Sequence, residues 1–205
     1  MALTLAQYRT RVLELLDDVS SNRYTTAQVD AGLRAALAEY SIYRPQQLMI
    51  ETYLSQAVKK MLLDDFEDEL PKSITSVRYT DPAHEEAYQT KWSPSNFNGL
   101  WYLTANAIPP ANKELEVYYE TWQTIASLDG GTTSTVPTQD NDLLCKGAAG
   151  YAARTRAVSR LESVNVEGDV AETLMKLSDA YLMDFRSTLR RQQFPTPAFA
   201  HWQYP

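Results

Sequence analysis

Apolar residues at the start of the chain recur at the three- and four-residue spacing of amphipathic helices. One such stripe follows Thr4 and ends near Asp18, and a second follows Thr25 and ends before Pro45. Each begins with a capping box, in which a threonine and a glutamine three residues later satisfy the exposed amides of the first turn. Because the connection between the stripes is short, the sequence predicts two neighbouring helices.

Two more helical stripes occupy the chain from about Asp140 to Arg191, with a break at residues 163–168. Small residues recur along the first of these stripes, at Gly147, Gly150, Ala153 and Ala157. Glycine inside a helix costs about 1 kcal/mol relative to alanine, so this pattern indicates a close approach by another backbone. We expect an antiparallel helical hairpin with a close-packing seam. The seam belongs either to the hairpin itself or to a contact between subunits.

The middle of the chain changes to the two-residue alternation that is typical of strands. Strands are predicted at residues 47–54, 59–63, 74–80, 100–103 and 115–122. The segment 93–99 is rich in serine and asparagine and contains a proline and a glycine, so it is predicted as a loop. Residues 84–92 fit either a short helix or a loop.

These elements predict an α+β fold that is mainly α. The expected architecture is a four-helix bundle with an inserted antiparallel β segment and an extended C-terminal tail. The bundle would comprise residues 1–45 and 136–193, and the β segment residues 46–128. Residues 129–135, which are glycine, threonine and serine after one aspartate, are predicted as a flexible connector. Residues 194–205 are the predicted docking tail.

The tail combines prolines with aromatic residues. Pro195, Pro197 and Pro205 prevent a regular helix there. The phenylalanines, tryptophan and tyrosine between them make the segment too apolar for a solvated end. Such a segment either folds back on its own core or docks in a partner's groove, where proline lowers the entropic cost of ordering.

Composition narrows the class of protein. The chain has 205 residues, is 44% hydrophobic and carries a formal net charge of −7. The negative charge opposes indiscriminate DNA binding. A single cysteine, Cys145, cannot form an internal disulfide, so the fold does not depend on an oxidising compartment. We expect no signal peptide, because no basic region precedes an apolar run at the N-terminus. No apolar stretch reaches the roughly 20 residues of a membrane span.

Sequence signatures of catalysis are absent. The chain contains no phosphate-binding glycine loop, no dinucleotide-binding glycine motif and no nucleophile elbow. Its two histidines, His84 and His201, and its single cysteine do not make a zinc site. The acidic run at residues 64–69 is interpreted as a solvated turn rather than a cation site. We therefore predict no catalytic residues, no cofactor and no metal, and we expect the protein not to be an enzyme.

Arginines recur in the last two predicted helices. Arg154, Arg156 and Arg160 lie in the first of them, and Arg186, Arg190 and Arg191 in the second. Together they could make a basic face. Neighbouring carboxylates such as Glu162, Asp179 and Asp184 favour a surface or interface role over nucleic-acid binding.

Three segments carry a resemblance to a known family. Residues 25–43 are an alanine-rich helix that leads to an aromatic residue and then a proline. Residues 70–79, Leu-Pro-Lys-Ser-Ile-Thr-Ser-Val-Arg-Tyr, place a proline before a strand. Residues 136–144 return the chain to a helix rich in glycine and alanine. In this order the segments resemble the head–tail adaptor (connector) proteins of tailed bacteriophages.

The resemblance implies a structural role. Members of that family assemble as a ring, commonly of twelve copies, beneath the portal protein, bridge it to a downstream tail protein and continue the channel through which double-stranded DNA passes without specific binding. The implied location is the virion neck, after synthesis in the bacterial host cytoplasm, with no membrane partner. The alternative is a small α-helical protein-binding or regulatory module. Docking onto the portal would fall on Arg190, Arg191, Phe194, Pro195, Pro197, Phe199, Trp202 and Tyr204.

Overall fold

The protein is described by a computed structural model that covers residues 3–54, 59–63, 71–79, 92–106, 113–161 and 168–191. Its described residues form two compact units, one from the chain up to Arg44 and from Gln123 onward, the other within Pro45–Trp122. The helices of the first unit are α1 Leu5–Leu15, α2 Thr26–Tyr43, α3 Asn141–Leu161 and α4 Gly168–Arg191. The strands of the second are β1 Gln46–Leu54, β2 Lys60–Leu63, β3 Ser73–Tyr79, β4 Trp92–Phe97, β5 Leu100–Ala105 and β6 Lys113–Thr121.

Both predicted capping boxes are confirmed. The amide of Gln7 donates to the Thr4 hydroxyl over 3.3 Å, and the Thr4 amide donates to the Gln7 side chain over 2.9 Å. Thr25 and Gln28 repeat the arrangement at the start of α2, with distances of 3.3 and 3.0 Å. These bonds satisfy amides that would otherwise lack partners in the first helical turn.

Helix α1 ends sooner than the apolar stripe predicted. The backbone of Asp17 has a φ of 51°, in the left-handed region that stops a right-handed helix. The carboxylate of Asp18 then accepts the amides of Asn22, Arg23 and Tyr24 over 3.1, 2.8 and 2.7 Å. Those three bonds fix the loop that leads into α2.

The prediction of a four-helix bundle is wrong, because the described residues form an α+β fold in which four helices are accompanied by two three-stranded antiparallel sheets. Helix α3 is central: it packs along α2 and α4 and also contacts α1, while α2 and α4 hardly touch each other. The reason is that small residues line α3 on more than one side. A Cβ atom added to Gly32 of α2 would lie 2.5 Å from the carbonyl oxygen of Ala148 and 3.3 Å from the Cβ of Ala152.

The second unit consists of two three-stranded antiparallel sheets, with strand orders β1-β6-β3 and β2-β5-β4. The five predicted strands are confirmed with small changes at their ends. Leu63, Leu103 and Val117 form a buried cluster to which both sheets contribute. This cluster is the hydrophobic core of the β unit.

The prediction of a loop at 93–99 is wrong, because β4 occupies most of it and pairs with β5 as a hairpin. Asn98 and Gly99 form the turn, with φ angles of 54° and 81°. Asparagine followed by glycine favours this tight turn, since both positions need a positive φ. The serines and proline of β4 are tolerated because the strand lies at the edge of its sheet.

The segment between the last strand and α3 is hydrogen-bonded to itself. The Thr124 amide donates to the Thr135 hydroxyl over 2.8 Å, and the Thr124 hydroxyl donates to the Thr133 carbonyl over 2.9 Å. The Ser127 amide donates to the Gly131 carbonyl over 2.7 Å. The sequence predicted residues 129–135 as flexible, and that statement about motion stays a prediction.

Candidate functional site

Two of the predicted docking residues lie within the described part of the chain, at the end of α4. Arg190 and Arg191 lie in its last turn, and both are exposed. Cations at this end of a helix are favoured by the helix dipole. The other predicted docking residues lie outside the described residues, namely Phe194, Pro195, Pro197, Phe199, Trp202 and Tyr204.

The small-residue seam lies between α3 and α4 of the same chain. A Cβ added to Gly147 would lie 3.0 Å from the ring of Phe185, and one added to Gly150 would lie 2.8 Å from Cγ of Leu182. Ala153 and Ala157, further along α3, are fully buried. The contacts of Gly147 and Gly150 run in opposite order along the two helices, so the hairpin is antiparallel.

The carboxylate of Glu39 joins three helices. Arg186 of α4 donates to it through Nε and Nη2 over 2.8 and 3.3 Å, and the hydroxyl of Tyr151 of α3 also donates to it. Burial raises the pKa of Glu39, but the hydrogen bonds from Arg186 and Tyr151 outweigh it and leave the pKa below its usual value. The same hydrogen bond holds the pKa of Arg186 above its usual value. The role of this cluster is structural: it links the three helices, and its carboxylate, guanidinium and hydroxyl are hydrogen-bonded to one another.

A second buried polar cluster stands where the chain enters α3. Asp140 accepts the hydroxyl of Tyr40 over 2.6 Å and forms an ion pair with Arg44. Next to it in sequence, Asn141 accepts the hydroxyl of Tyr8 over 2.5 Å. Burial raises the pKa of Tyr8 to about 12, so this hydroxyl stays protonated and keeps donating at neutral pH.

Cys145 is buried in the helical core. Burial raises the pKa of its thiol to about 12. The thiolate is the reactive form of cysteine, and at neutral pH this side chain is almost wholly a thiol. Its role is therefore packing.

Among the described residues, no group of three or more histidine, cysteine, aspartate or glutamate side chains could hold a metal ion. The acidic run 64–69 and both histidines lie outside those residues. No helix in the described ranges is long and apolar enough to cross a membrane.

The arginines of α3 and those of α4 lie at different positions along the helical hairpin. Because Gly147 packs against Phe185, the end of α4 that carries Arg186 lies beside the start of α3. Arg156 is nine residues further along α3, or about 14 Å at the rise of an α-helix. There it stacks 4.7 Å from the ring centroid of Tyr24 and donates to the carbonyl of Arg23. Glu162, one of the expected neighbours, lies outside the described residues.

The outer face of the β1-β6-β3 sheet carries exposed side chains that the sequence did not single out. On β1 the exposed residues alternate with covered ones, and Met49 and Tyr53 are 44% and 54% exposed. Glu51 lies between them and directly opposite Glu116 of β6. Like charges placed opposite each other across a sheet destabilise it by a few tenths of a kcal/mol to about 1 kcal/mol.

Hydrogen bonds and one arginine partly compensate for this charge. Arg78 of β3 also stands opposite Glu116, with its guanidinium 5.2 Å from the ring of Tyr118. The Tyr118 hydroxyl donates to Glu116 over 2.8 Å, and the Ser73 hydroxyl donates to Glu120 over 2.8 Å. We call this surface the acidic sheet face, and its residues are Met49, Glu51, Tyr53, Arg78, Glu114, Glu116, Tyr118 and Glu120.

The tip of the β4–β5 hairpin is a second exposed apolar feature. Phe97 and Leu100 pair across the Asn98–Gly99 turn and are 68% and 47% exposed. The asparagine–glycine pair is the sequence signal that could have identified this tip. Residues of the acidic sheet face had no such signal, because their grouping depends on strand order.

Comparisons with known proteins found a likeness to solved structures. No protein-family model matches this chain, and no curated protein matches it. The chain is similar to a solved structure described as "Neck of empty GTA particle computed with C6 symmetry". That likeness has a TM-score of 0.31 at 15% identity and covers 88% of this chain and 89% of the other. A TM-score of this size does not establish a shared fold.

Proposed function

We propose that this chain is a structural protein of the neck of a tailed phage-like particle. In the fuller form of the proposal it is a head–tail adaptor that forms a ring beneath the portal and has no catalytic activity. The observation that carries the proposal is the order of elements: two capped helices, an inserted unit of antiparallel strands, then a small-residue helix and a long final helix. This is the order on which the sequence resemblance to adaptor proteins rests.

The end of α4 supports a docking role for the segment that follows it. Arg190 and Arg191 are exposed, and the fourteen residues after them contain prolines and aromatic side chains but no acidic residue. Proline reduces the entropy that an extended segment loses on binding, and aromatic residues are favoured at the centres of interfaces. We propose that this segment grips the portal.

The charge of the molecule suits a DNA channel. Affinity for duplex DNA comes largely from lysines and arginines that neutralise phosphates. The chain has a net charge of −7, so each subunit brings more carboxylates than cations to the assembly. A ring of such subunits would let DNA slide past with few attractive contacts.

The location of the chain tests this proposal. Particles released from cells that make this chain would be purified, their proteins identified by mass spectrometry, and the chain located by cryo-electron microscopy or by antibody-linked gold. We expect it at the head–tail junction, in a fixed copy number per particle. Its absence from purified particles would overturn the proposal. Recovery with a soluble cellular protein instead would favour a protein-binding or regulatory module.

A further inference from the structure

Two surfaces of opposite charge stand out on the two units. The acidic sheet face combines four glutamates with exposed Met49 and Tyr53, so it is both charged and apolar. Glu51 and Glu116 repel each other across β1 and β6, and folding gains nothing from that repulsion. A cationic surface brought against the sheet would attract both carboxylates and so offset their mutual repulsion.

The helical unit carries a suitable cationic surface. We call it the arginine patch, and its residues are Arg23, Arg156 and Arg160. Arg156 is held against Tyr24 and the Arg23 carbonyl, so two of the arginines are neighbours in the structure. Arg160 follows one turn later on α3.

We propose that the acidic sheet face of one copy of this chain binds the arginine patch of a second copy. Neither surface can pair with itself, because two copies of the same face would bring like charges together. The contact is therefore heterologous, with two different surfaces meeting head to tail. Repeated contacts of this kind close into a ring when the rotation between neighbours allows it. The proposal rests on the proposed ring and names the surfaces that build it.

Charge reversal on the two surfaces tests this pairing with the full-length chain. One variant, Glu51→Arg with Glu114→Arg, makes the sheet face basic. The other, Arg23→Glu with Arg160→Glu, makes the patch acidic. All four positions are exposed, so both variants should fold. Self-association would be measured by sedimentation velocity at low ionic strength and again at high ionic strength, where salt screens the attraction.

The expected pattern distinguishes this contact from general electrostatics. The natural chain associates at low salt and dissociates at high salt, and each variant alone associates at least tenfold more weakly. A mixture of the two variants associates again, because each then presents a surface complementary to the other. The variant with all four changes also associates, since both of its surfaces are reversed together. A control with Glu172→Arg and Asp179→Arg on α4 changes the net charge by the same amount as the sheet-face variant and should behave like the natural chain.

Several results would overturn the pairing. They are salt-independent or absent association of the natural chain, association of either variant at natural strength, and failure of the mixture or of the fourfold variant to recover. The proposed neck function fails separately, by absence of the chain from particles. A chain found at the neck whose copies do not respond to these reversals would refute the named surfaces and leave the function standing.

Discussion

The carboxylate of Glu39 shows how one residue can hold distant segments together. Its partners, Tyr151 and Arg186, lie more than a hundred residues away in sequence. Charge spacing along the chain gives no sign of the cluster, because it forms only when α2, α3 and α4 are packed. Sequence reasoning therefore missed it, although it found the capping boxes, whose partners are three residues apart.

The pH dependence of stability should report on Glu39. Its folded-state pKa lies below the usual value, so its stabilising contribution is full above the unfolded-state pKa and is lost as pH falls through the folded-state pKa. Glu39→Gln should lower the free energy of unfolding at pH 7, and the difference from the natural chain should shrink at pH 3. Urea denaturation at both pH values measures it. An equal difference at both would show that the charge of Glu39 is not what stabilises the cluster.

Glycines at the helix contacts should differ in their tolerance of alanine. Gly32→Ala brings a methyl group to 2.5 Å from a backbone carbonyl oxygen, which cannot move without shifting α3. We expect a loss of about 1–3 kcal/mol from overpacking, beyond the roughly 1 kcal/mol that alanine gains by helix propensity. Gly147→Ala meets only the ring of Phe185 at 3.0 Å and should cost less. Thermal unfolding of the two variants tests the order, which equal or reversed losses would contradict.

At the scale of elements, the sequence predicted the helices and most of the strands well, but it did not predict how the helices pack together. Five strands and four helices follow from periodicity, since each depends on residues close in sequence. The bundle was a wrong inference because periodicity shows that a helix has a buried face but not which helix covers it. Small residues on α3 accept α2 and α4 separately, and that makes α3 central.

The conformation of the β4–β5 hairpin depends on its turn. A substitution in the turn therefore tests this hairpin separately from the other elements. Gly99 has a φ of 81°, a conformation that side chains with a Cβ rarely adopt. Gly99→Val should destabilise the β unit by about 1–2 kcal/mol, because the left-handed region is costly for any residue but glycine. Its matched control is Gly131→Ala in the helical unit, where φ is not positive but a Cβ would lie 2.7 Å from a carbonyl oxygen. Amide hydrogen exchange should show faster exchange in β4 and β5 for the first change only.

The proposed role of the docking tail, residues 194–205, can be tested by substituting its aromatic residues. Replacing Phe199 and Trp202 by alanine should weaken binding to purified portal rings at least tenfold, while the melting temperature of the helical unit stays unchanged. Met183→Ala, which removes an exposed apolar side chain of α4, is the control and should bind normally. Co-sedimentation with portal rings measures the loss. Unchanged binding by the double variant would remove the tail from the proposed contact.

At the scale of the whole molecule, the sequence gives the net charge but does not predict where on the surface the charges lie. The net charge of −7 follows from composition, but its separation into an acidic sheet face and an arginine patch follows from strand order and helix packing. Glu51 and Glu116 are 65 positions apart in the sequence and face each other only because β1 pairs with β6.

The chain leaves the helical unit after Arg44 and returns at Gln123, and those two residues are in contact. The side-chain amide of Gln123 donates to the Arg44 carbonyl over 3.0 Å, and its backbone amide donates to Ser41 over 3.0 Å. The strands thus form an insertion in the helical unit, and the two ends of the insertion meet. A shortened gene that joins these ends through a few glycines should still encode a folded helical protein. A different domain could be inserted at the same position.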